Sequence, residues 1–260
     1  MLNMRKLHCL FFVSLLFAGN LEILSVKQAS LGGSGIAHDP IANPAALAQN
    51  ITTTAFCSSE KLYGLKELPH HIVAIQGSAL RFGMGAVWSN LGNSIYQESS
   101  GRVALGKQIK SNTSIGMAFN YHQNFIRDFN NLVEYSLDFG ALFSADSNHN
   151  FGFVYEEIGL FSQNLHPRYG FGYCYETVNS ALFVDWKKDV RYPLSFRIGN
   201  EWKWLDFLHL RWGYQSKPSR FGFGFGMIWR GFSIDYALRT HSILQPQHQF
   251  SFQIKPGNLW

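Results

Sequence analysis

Two pairs of adjacent ionisable residues are the first candidates for chemistry in this sequence. Glu156 and Glu157 are neighbouring carboxylates, a residue type used in acid–base catalysis, and His70 and His71 are neighbouring imidazoles. Apolar and polar residues alternate around the glutamates, which indicates a β-strand. Because adjacent strand residues point to opposite faces of a sheet, the two glutamates are predicted not to share a site. The histidines are predicted to be a loop pair.

No other pattern of reactive residues indicates catalysis. The ten histidines show no metal-ligand spacing, and the sequence has no nucleophile elbow, phosphate loop or zinc pattern. The repeated Phe-Gly of residues 220–226 is not a dinucleotide fingerprint, because no helix follows it. The chain is therefore predicted not to be an enzyme, with no catalytic, cofactor-binding or metal-binding residue and no cofactor.

The run RFGFGFGMIW, residues 220–229, shows most clearly the alternation that indicates the structural elements of this chain. Phe221, Phe223 and Phe225 share one parity and three glycines share the other, a period of two that only a strand can use. The rings are predicted to face lipid and the glycines a lumen. Two reasons for the glycines stay open: they admit a closely packed backbone, or they simply fit a crowded interior.

The same alternation continues from Thr52 to the end of the chain. It predicts about fourteen strands, near residues 52–60, 70–77, 80–89, 96–109, 113–124, 131–144, 149–160, 168–176, 179–187, 193–204, 208–215, 219–229, 231–239 and 247–256. Short and longer connections alternate between them, as in bacterial outer-membrane barrels. The predicted fold class is therefore all-β, an antiparallel transmembrane β-barrel of about fourteen strands with a short N-terminal hatch segment.

A soluble two-sheet sandwich gives the same alternation, so other features must distinguish the two folds. Charged residues make up only 15% of the chain, and aromatic residues 16%. The polar parity is rich in Gly, Ser, Ala and Asn, and the strands follow one another without long crossovers. Aromatic residues recur near strand ends, as in an interfacial girdle: Tyr63, Trp88, Tyr96, Trp186, Tyr192, Trp202, Trp204 and Trp229. These features favour the barrel.

Three segments are predicted along the chain. Arg5 and Lys6 precede the apolar run 7–19, which indicates a signal peptide with an approximate end at residue 29. Residues 30–50 form the hatch, in which Asn43 and Pro44 are typical of the cap and first turn of a short helix. Residues 51–260 form the barrel. The predicted location is the outer membrane, after export.

Strand parity also predicts which side chains line each face. The residues predicted to face lipid include Phe221, Phe223, Phe225, Phe250 and Phe252. The charged residues predicted to face the lumen are Glu134, Asp138, Glu156, Glu176, Asp185, Arg197, Glu201, Arg211, Asp235, Arg239 and Lys255. Both signs occur, which is consistent with a cross-barrel network of ion pairs or with a gated polar route for a solute.

The net charge of +5 does not indicate nucleic acid, because the chain is exported and has no basic helix. Basic residues gather instead at the predicted long loops: Lys61, Lys66, Arg127, Lys187, Lys188, Arg191, Lys217 and Arg220. They are predicted to meet phosphates of outer-membrane lipids and lipopolysaccharide, or to serve only loop solubility. The final strand, with Phe250, Phe252, Ile254 and terminal Trp260, is typical of strands read by the barrel-assembly machinery; pairing is predicted to stop at Pro256.

Two segments resemble the FadL-like outer-membrane superfamily, in its PorV/PorQ branch. GGSGIAHDPIANPAAL is similar to the family's N-terminal signature through Asn43, Pro44, Ala45 and Leu47, with Ala46 in place of a glycine. Residues 208–256 are similar to the C-terminal strands through Arg211, Gly213, Tyr214, Asp235, Tyr236, Ala237 and His248. The resemblance implies a fourteen-stranded barrel with a tucked-in hatch. It implies passage of small hydrophobic compounds or, alternatively, a non-transporting accessory barrel of type IX secretion with secretion components as partners.

Overall fold

The computed structural model describes residues 22–49, 52–129, 131–161 and 165–256. A short helix α1, Val26–Ser30, and a 3₁₀ helix, Pro44–Gln49, precede the strands. The strands are β1 Thr54–Lys61, β2 Pro69–Ala79, β3 Phe82–Gly92, β4 Tyr96–Lys110, β5 Thr113–Ile126, β6 Leu132–Ser144, β7 His149–Leu160, β8 Arg168–Glu176, β9 Ser180–Asp189, β10 Ser195–Leu205, β11 Leu208–Gln215, β12 Arg220–Trp229, β13 Phe232–Arg239 and β14 Gln247–Ile254; a second 3₁₀ helix, Leu62–Gly64, follows β1.

The strands form one closed antiparallel barrel of fourteen strands, as predicted. Each strand pairs with its neighbours in sequence, and β14 returns to β1, where pairing runs from Ala55↔Ile254 to Glu60↔Gln249. Closure leaves no unpaired edge, which is why a sheet can be stable without a second sheet against it. The two-sheet sandwich is thereby excluded. Strand β14 ends at Ile254, before Pro256, and Trp260 lies outside the described residues.

The two ends of the barrel differ in their connections. One end carries turns of two to four residues, such as 80–81, 111–112 and 145–148. The other carries the longer connections 62–68, 161–167 and 240–246. We call these the short-turn end and the long-loop end. No helix among the described residues has the length and apolar character to cross a membrane.

The described N-terminal segment lies inside the barrel. Residues 22–49, here called the hatch, run through the lumen before the chain enters β1, and most of them are buried. The predicted boundary between signal peptide and hatch at residue 29 falls inside α1, whose Val26 and Ala29 pack against Ala237 of β13. The buried segment therefore includes residues on both sides of that approximate boundary, whose position stays a prediction. Residues 1–21 of the predicted signal peptide lie outside the described residues.

The buried apolar core is the contact between hatch and wall, since the barrel has no second layer. One cluster joins Leu31 and Ala37 of the hatch to Cys174, Ala181 and Phe183 on β8 and β9. Another joins Leu47 to Ala104 and Ala118 on β4 and β5. The wall residues in these clusters are small or flat, which brings the hatch close to the barrel backbone.

Candidate functional site

The hatch crosses the lumen from the long-loop end to the short-turn end. Its first residue, Glu22, binds side chains near the long-loop ends of β9 and β10. Helix α1 then packs on β11 to β14. The 3₁₀ helix, Pro44–Gln49, packs on β2 to β6 on the opposite wall, towards the short-turn end. The segment thus spans the full width of the lumen.

Lumen-facing glycines give the hatch its room. A Cβ added at Gly106 on β4 would lie 2.7 Å from the Pro44 carbonyl oxygen and 2.8 Å from the Ala48 nitrogen, closer than side-chain carbons approach backbone. Equivalent clashes with hatch atoms would occur on nine strands, at Gly83, Gly106, Gly116, Gly140, Gly152, Gly172, Gly199, Gly213 and Gly222. This ring of glycines lets the hatch backbone lie directly against the wall. It answers the question left open by the Phe-Gly alternation in favour of close packing.

Within the Phe-Gly run, two of the glycines make room for the hatch and the third makes room for side chains of the wall. Gly222 and Gly224 face Ala29 and Ser30 of the hatch. Gly226 instead faces side chains: a Cβ there would lie 2.8 Å from Arg211 Nη2 and would overlap Asp235 Oδ1. The glycine on β12 is therefore the gap through which an arginine of β11 reaches an aspartate of β13.

The four hatch residues singled out by the sequence motif are buried at the base of the hatch. Asn43 is fully buried; its Oδ1 accepts from Ala45 N at 3.0 Å, and its Nδ2 donates to Ile36 O at 2.9 Å and to Ala141 O on β6 at 3.1 Å. The cap of the short helix is therefore also a bridge from the hatch to the wall. Ala45 and Leu47 are buried with Pro44 between the glycines of β3 to β6.

A second bridge joins the glycine-rich turn of the hatch to β9 and β10. Asp185 Oδ2 accepts from the backbone nitrogens of Gly35 at 2.7 Å and Ile36 at 3.0 Å, and Arg197 Nη1 donates to Gly33 O at 2.8 Å. Gly33 has a φ of +80°, a backbone shape that disfavours other residues. The turn is thus held by one carboxylate and one guanidinium from adjacent strands.

Four charges of alternating sign connect α1 to three strands. Lys27 Nζ lies 3.0 Å from Glu201 Oε1, Arg211 Nε donates to Glu201 Oε2 at 2.5 Å, and Arg211 Nη1 donates to Asp235 Oδ1 at 2.5 Å. The side chains of Glu201 and Arg211 are nearly fully buried. Buried charges are tolerated only when paired in this way, so the chain of ion pairs ties the hatch to the wall.

Four of the six remaining charges that were predicted to face the lumen have partners of opposite sign. Asp138 binds Arg102 at 2.5 Å, Glu156 binds Lys187 at 2.7 Å, Glu176 binds Lys203 at 3.1 Å, and Arg239 lies 3.8 Å from Glu60. Glu134 is buried. Lys255 lies just beyond the end of β14. Among the partners, Glu22 and Lys27 were missed because they precede the alternating part of the chain. Glu60, Arg102, Arg168 and Lys203 lie in predicted strands but were not singled out.

The prediction that Glu156 and Glu157 cannot share a site is wrong. Pairing of β6 with β7 shifts between Leu137 and Phe139, and Glu157 takes a φ of +57° and donates its N–H to Asp138 Oδ1 at 2.8 Å. This β-bulge adds one residue to β7 and turns both glutamates to the lumen. Arg168 binds both, at 2.6 Å from Glu157 Oε1 and 3.7 Å from Glu156 Oε2. The pair serves an ion cluster beside the hatch.

The prediction that His70 and His71 are a loop pair is also wrong, since both belong to β2. His70 is buried, its Nδ1 lies 2.7 Å from Glu60 Oε1, and its Nε2 lies 2.8 Å from Ser89 Oγ. A carboxylate, an imidazole and a hydroxyl in this order resemble a catalytic triad. Ser89 is itself buried between neighbouring strands, so the arrangement is a hydrogen-bonded link across β1, β2 and β3 at the long-loop end.

Above the hatch, a cavity of about 580 Å³ lies at the long-loop end; we call it the vestibule. Seven basic residues line it against three carboxylates, Glu22, Glu60 and Asp189; the basic residues are Arg168, Lys187, Arg191, Arg197, Lys217, Arg220 and Arg239. Apolar and aromatic residues line the rest, among them Leu24, Leu62, Tyr63, Tyr192 and Pro193. The vestibule is thus amphipathic, with an excess of positive charge.

A smaller cavity of about 60 Å³ lies deeper, between the hatch and β3 to β8. Glu22, Leu24, Arg168, Lys187 and Arg197 border both this cavity and the vestibule. Glu22 therefore stands at the boundary between them. Its carboxylate binds Arg197 through both oxygens, at 3.0 and 2.9 Å, and Lys187 Nζ at 2.9 Å.

The protonation state of Glu22 follows from these neighbours. Burial by itself would raise the pKa of the Glu22 carboxyl, but the charges of Arg197 and Lys187 outweigh burial and hold this pKa well below its ordinary value. Because the pKa is lowered in the folded protein, the stability that comes from the ion pairs of Glu22 is fully present above the ordinary carboxyl pKa. It is lost only as the pH falls through the lowered pKa of the folded state. Near neutral pH, therefore, Glu22 is a fixed anion.

The positions of the basic residues differ in part from the sequence interpretation. Lys61, Lys66 and Arg127 are exposed at the long-loop end. Lys187 is buried in the lumen, where it binds Glu22 and Glu156; Arg191, Lys217 and Arg220 line the vestibule. Strand ends curve around a closed barrel, so residues assigned to loops by sequence alone can face its mouth.

The outer wall is a continuous apolar surface. Phe221, Phe223, Phe225, Phe250 and Phe252 are 37% to 56% exposed and point away from the hatch. Neighbouring rings contact one another, as in Phe225 against Tyr236 with centroids 5.5 Å apart. Trp202, Trp204 and Trp229 lie near the short-turn end, while Tyr63 and Tyr192 line the vestibule.

No family model and no curated protein matches this chain. Solved structures do resemble it. The CymD monoaromatic hydrocarbon channel superposes with a TM-score of 0.71 at 10% identity, covering 92% of this chain and 99% of the channel. The two chains share one fold.

Two further structures share this fold. The toluene transporter TodX of Pseudomonas putida gives a TM-score of 0.64 at 11% identity, covering 90% of this chain and 98% of TodX. A FadL homologue of Pseudomonas aeruginosa gives 0.64 at 11% identity, with 90% and 99% covered. At such identities the likeness concerns the arrangement of the chain, and residues in the lumen must be interpreted from their own contacts.

Proposed function

We propose that this protein is an outer-membrane channel for small hydrophobic compounds, closed by its hatch. The FadL-like fold supports the proposal, since solved barrels of this fold are described as monoaromatic hydrocarbon channels. The apolar side of the vestibule, formed by Leu24, Leu62, Tyr63 and Tyr192, offers an entrance that such a compound can occupy.

One observation carries the proposal: the hatch fills the lumen, and its polar attachments to the wall are confined to a few places. Its backbone lies on glycines, and its polar attachments are concentrated at Glu22, Lys27, Asn43 and the 33–36 turn. A segment needed only to stabilise the barrel would be expected to interdigitate large side chains with the wall. Small wall residues and a few ionic ties allow the segment to shift.

The location and partners form part of the same proposal. The chain would reach the outer membrane through an N-terminal signal peptide, insert through the barrel-assembly machinery and contact lipopolysaccharide through its exposed basic loops. The alternative is an accessory barrel of type IX secretion in the PorV/PorQ branch. The short connections at the long-loop end leave little surface either for capturing substrate or for docking secreted cargo.

Uptake by intact cells tests the proposal. We would express the chain in a Gram-negative host and measure accumulation of radiolabelled toluene, because the lipopolysaccharide leaflet of living cells is the barrier that a simple liposome lacks. The full chain should raise the initial rate above that of the empty vector, and deletion of residues 22–49 should raise it further. As a matched control, Gly101→Ala on the outer face of β4 should leave the rate unchanged.

Equal rates with the full chain, the hatch deletion and the empty vector would reject a channel. Co-purification with secretion components under the same expression conditions would then favour the accessory barrel.

A further inference from the structure

The outer wall carries a broad apolar depression on one side of the barrel. Its volume is about 760 Å³, and it lies over β1 to β4 between rings of the two flanking strands, Phe252 on β14 and Phe119 and Tyr121 on β5. Two rows of paired residues form its floor, Cys57 and Val73 in one row and Ala55, Ile75, Ala86 and Val103 in the other. These side chains are smaller than the phenylalanines that cover β12, so the outer surface is hollow here.

The largest side chain bordering this floor leaves its centre open. Trp88 of β3 stacks on Tyr121 of β5, with ring centroids 6.3 Å apart and an interplanar angle of 15°. The indole therefore leans away from β1 and β2. Val73 and Ile75 beside it are 57% and 55% exposed. A contiguous apolar surface of this kind is typical of a binding site for an apolar partner.

A polar row crosses the same strands one step nearer the long-loop end. Its members are paired across five strands and therefore share the outer face: Ser59, His71, Asn90, Ser99 and Gln123. Each lies two residues along its strand from the row of Cys57 and Val73, a distance of about 6–7 Å. The next members of the row are Phe250 on β14 and Val133 on β6. The polar surface is thus limited to the part of the wall above the depression.

Exposed basic residues lie above this polar row. Lys61 ends β1, Lys66 lies in the connection 62–68, and Arg127 directly follows β5. None of the three is among the residues that line the vestibule. Glu67 and Asp128 lie in the same connections and offset part of this charge. From the long-loop end downwards, the outer face of β1 to β5 thus presents cations, then neutral polar groups, then an apolar hollow. A phosphorylated lipid has its groups in the same order.

The height of these groups selects the leaflet from which the lipid comes. In bacterial barrels the longer loops are extracellular and the short turns are periplasmic. The basic residues and the polar row lie at the long-loop end, so the phosphates that they match belong to the outer leaflet. The floor from β1 to β4 is about 14 Å wide at the ordinary strand spacing, which is room for more than one acyl chain.

We propose that the outer face of β1 to β5 is a binding site for lipopolysaccharide. The acyl chains of lipid A, its phosphorylated and multiply acylated anchor, fill the depression, and its phosphates meet Lys61, Lys66 and Arg127. The polar row lies between them, at the level of the sugar and ester groups. The inference rests on the outer-membrane location in the proposed function, and it places a lipid on the wall, apart from any passage through the lumen.

Cys57 on the floor supplies a probe of occupancy, because it is exposed whereas Cys174 is buried. We would measure alkylation of Cys57 by N-ethylmaleimide in the purified full chain in detergent, using peptide mass spectrometry. The added lipids are lipid A, dephosphorylated lipid A and phosphatidylglycerol. Lipid A should halve the alkylation rate at a concentration at least about tenfold lower than its dephosphorylated form, since each basic residue near a lipid phosphate contributes about 1 kcal/mol. Phosphatidylglycerol, with one phosphate and two acyl chains, should also protect less than lipid A.

Two pairs of variants test the two parts of the site. Lys61→Gln should raise the half-protecting concentration of lipid A about fivefold, and Lys110→Gln, at the short-turn end of β4, should leave it unchanged. Ala86→Phe fills the floor and should also raise this concentration. Ala141→Phe is the same change on the outer face of β6, outside the depression, and should not. Folding of each variant is checked by heat-modifiable migration.

A cysteine at the same depth but outside the depression tests whether the lipid is held at one place. Met227 on β12 lies in the same row as Cys57, through Ile234 and Phe252. In the double variant Met227→Cys and Cys57→Ser, lipid A should protect no better than phosphatidylglycerol.

Equal protection of Cys57 by lipid A and by its dephosphorylated form would overturn the site. Equal protection by lipid A at both cysteine positions would overturn it as well. Protection that rises with protein concentration in the absence of added lipid would assign the depression to a second copy of the chain instead.

These measurements involve no flux, so they separate the two proposals. Absence of toluene uptake together with selective protection by lipid A would reject the channel alone. Toluene uptake without selective protection would reject this inference alone.

Discussion

Individual charged residues decide how firmly the hatch and wall hold together. Substitution of Arg211 is expected to be especially costly, because Arg211 donates to both Glu201 and Asp235 and is only 8% exposed. Gly226 leaves the space through which it reaches Asp235. Removing one member of a buried cluster leaves the others charged and unpaired, which costs more than the cluster contributes when intact.

Replacing Arg211 by Leu should therefore destabilise the barrel by about 3–5 kcal/mol. Urea unfolding in lipid vesicles, followed by heat-modifiable migration, measures the change. Lys203→Leu is the matched control, because the Lys203–Glu176 pair is about one-third exposed and such pairs contribute about 0–1 kcal/mol. Adding Asp235→Asn to Arg211→Leu should recover part of the loss. Equal stabilities of Arg211→Leu and Lys203→Leu would show that the cluster carries no such weight.

Individual strands are built to different requirements on their two faces. On β4, Gly106 faces the hatch and Gly101 faces outwards, where a Cβ would lie 3.1 Å from the Trp88 ring and 3.9 Å from Tyr121 Cβ. A ring on the outer face can turn aside, whereas the Pro44 carbonyl and Ala48 nitrogen opposite Gly106 belong to a backbone held on both sides. Replacing glycine by alanine is therefore expected to have different consequences at Gly106 and at Gly101, which lie on opposite faces of the same strand.

Gly106→Ala should displace the 3₁₀ helix Pro44–Gln49 and raise hydrogen exchange across residues 43–49. Gly101→Ala should leave that exchange as in the wild type, because its methyl group lies outside the wall. Protection of residues 43–49 that survives Gly106→Ala would mean that the wall moves instead of the hatch.

Strand order was predictable because alternation is a local signal, and the strands from 149–160 to 208–215 were predicted nearly to the residue. The bulge at Glu157 was not predictable in this way, since it depends on one backbone angle and on the N–H bond to Asp138 of the adjacent strand. His70 lay at the start of a predicted strand and was still interpreted as a loop residue, because its partners Glu60 and Ser89 lie on other strands and the local sequence gave no sign of them. The local sequence pattern predicts a strand, but it does not predict which residues of the neighbouring strands will contact it.

At the scale of the whole molecule, the barrel reverses the usual distribution of residues. Large apolar side chains are outside, and the interior contains glycines, ion pairs and the hatch. This arrangement is stable only where the outer surface contacts hydrocarbon. The vestibule also exists only at this scale, because Glu22, Lys187 and Arg239 are far apart in sequence and are brought together by closure of the barrel.

Phe223→Lys tests whether the outer face of the barrel contacts lipid. Phe223 lies mid-strand on β12 and is 49% exposed, so a lysine there should cost about 2–4 kcal/mol in lipid vesicles. Phe129→Lys, at a loop position that is 67% exposed, should cost much less. Urea titration in vesicles compares the two. A neutral effect of Phe223→Lys would contradict a lipid-facing belt.

The seam between β1 and β14 sets an order of events during assembly. The hatch precedes β1 along the chain and is enclosed by all the strands that follow, yet the ring is sealed only when the last strand reaches the first. A peptide whose backbone lies directly against the backbone of eight strands has no room to be threaded in later. The N-terminal segment must therefore already lie inside when β14 pairs with β1, so the strands can assemble around it.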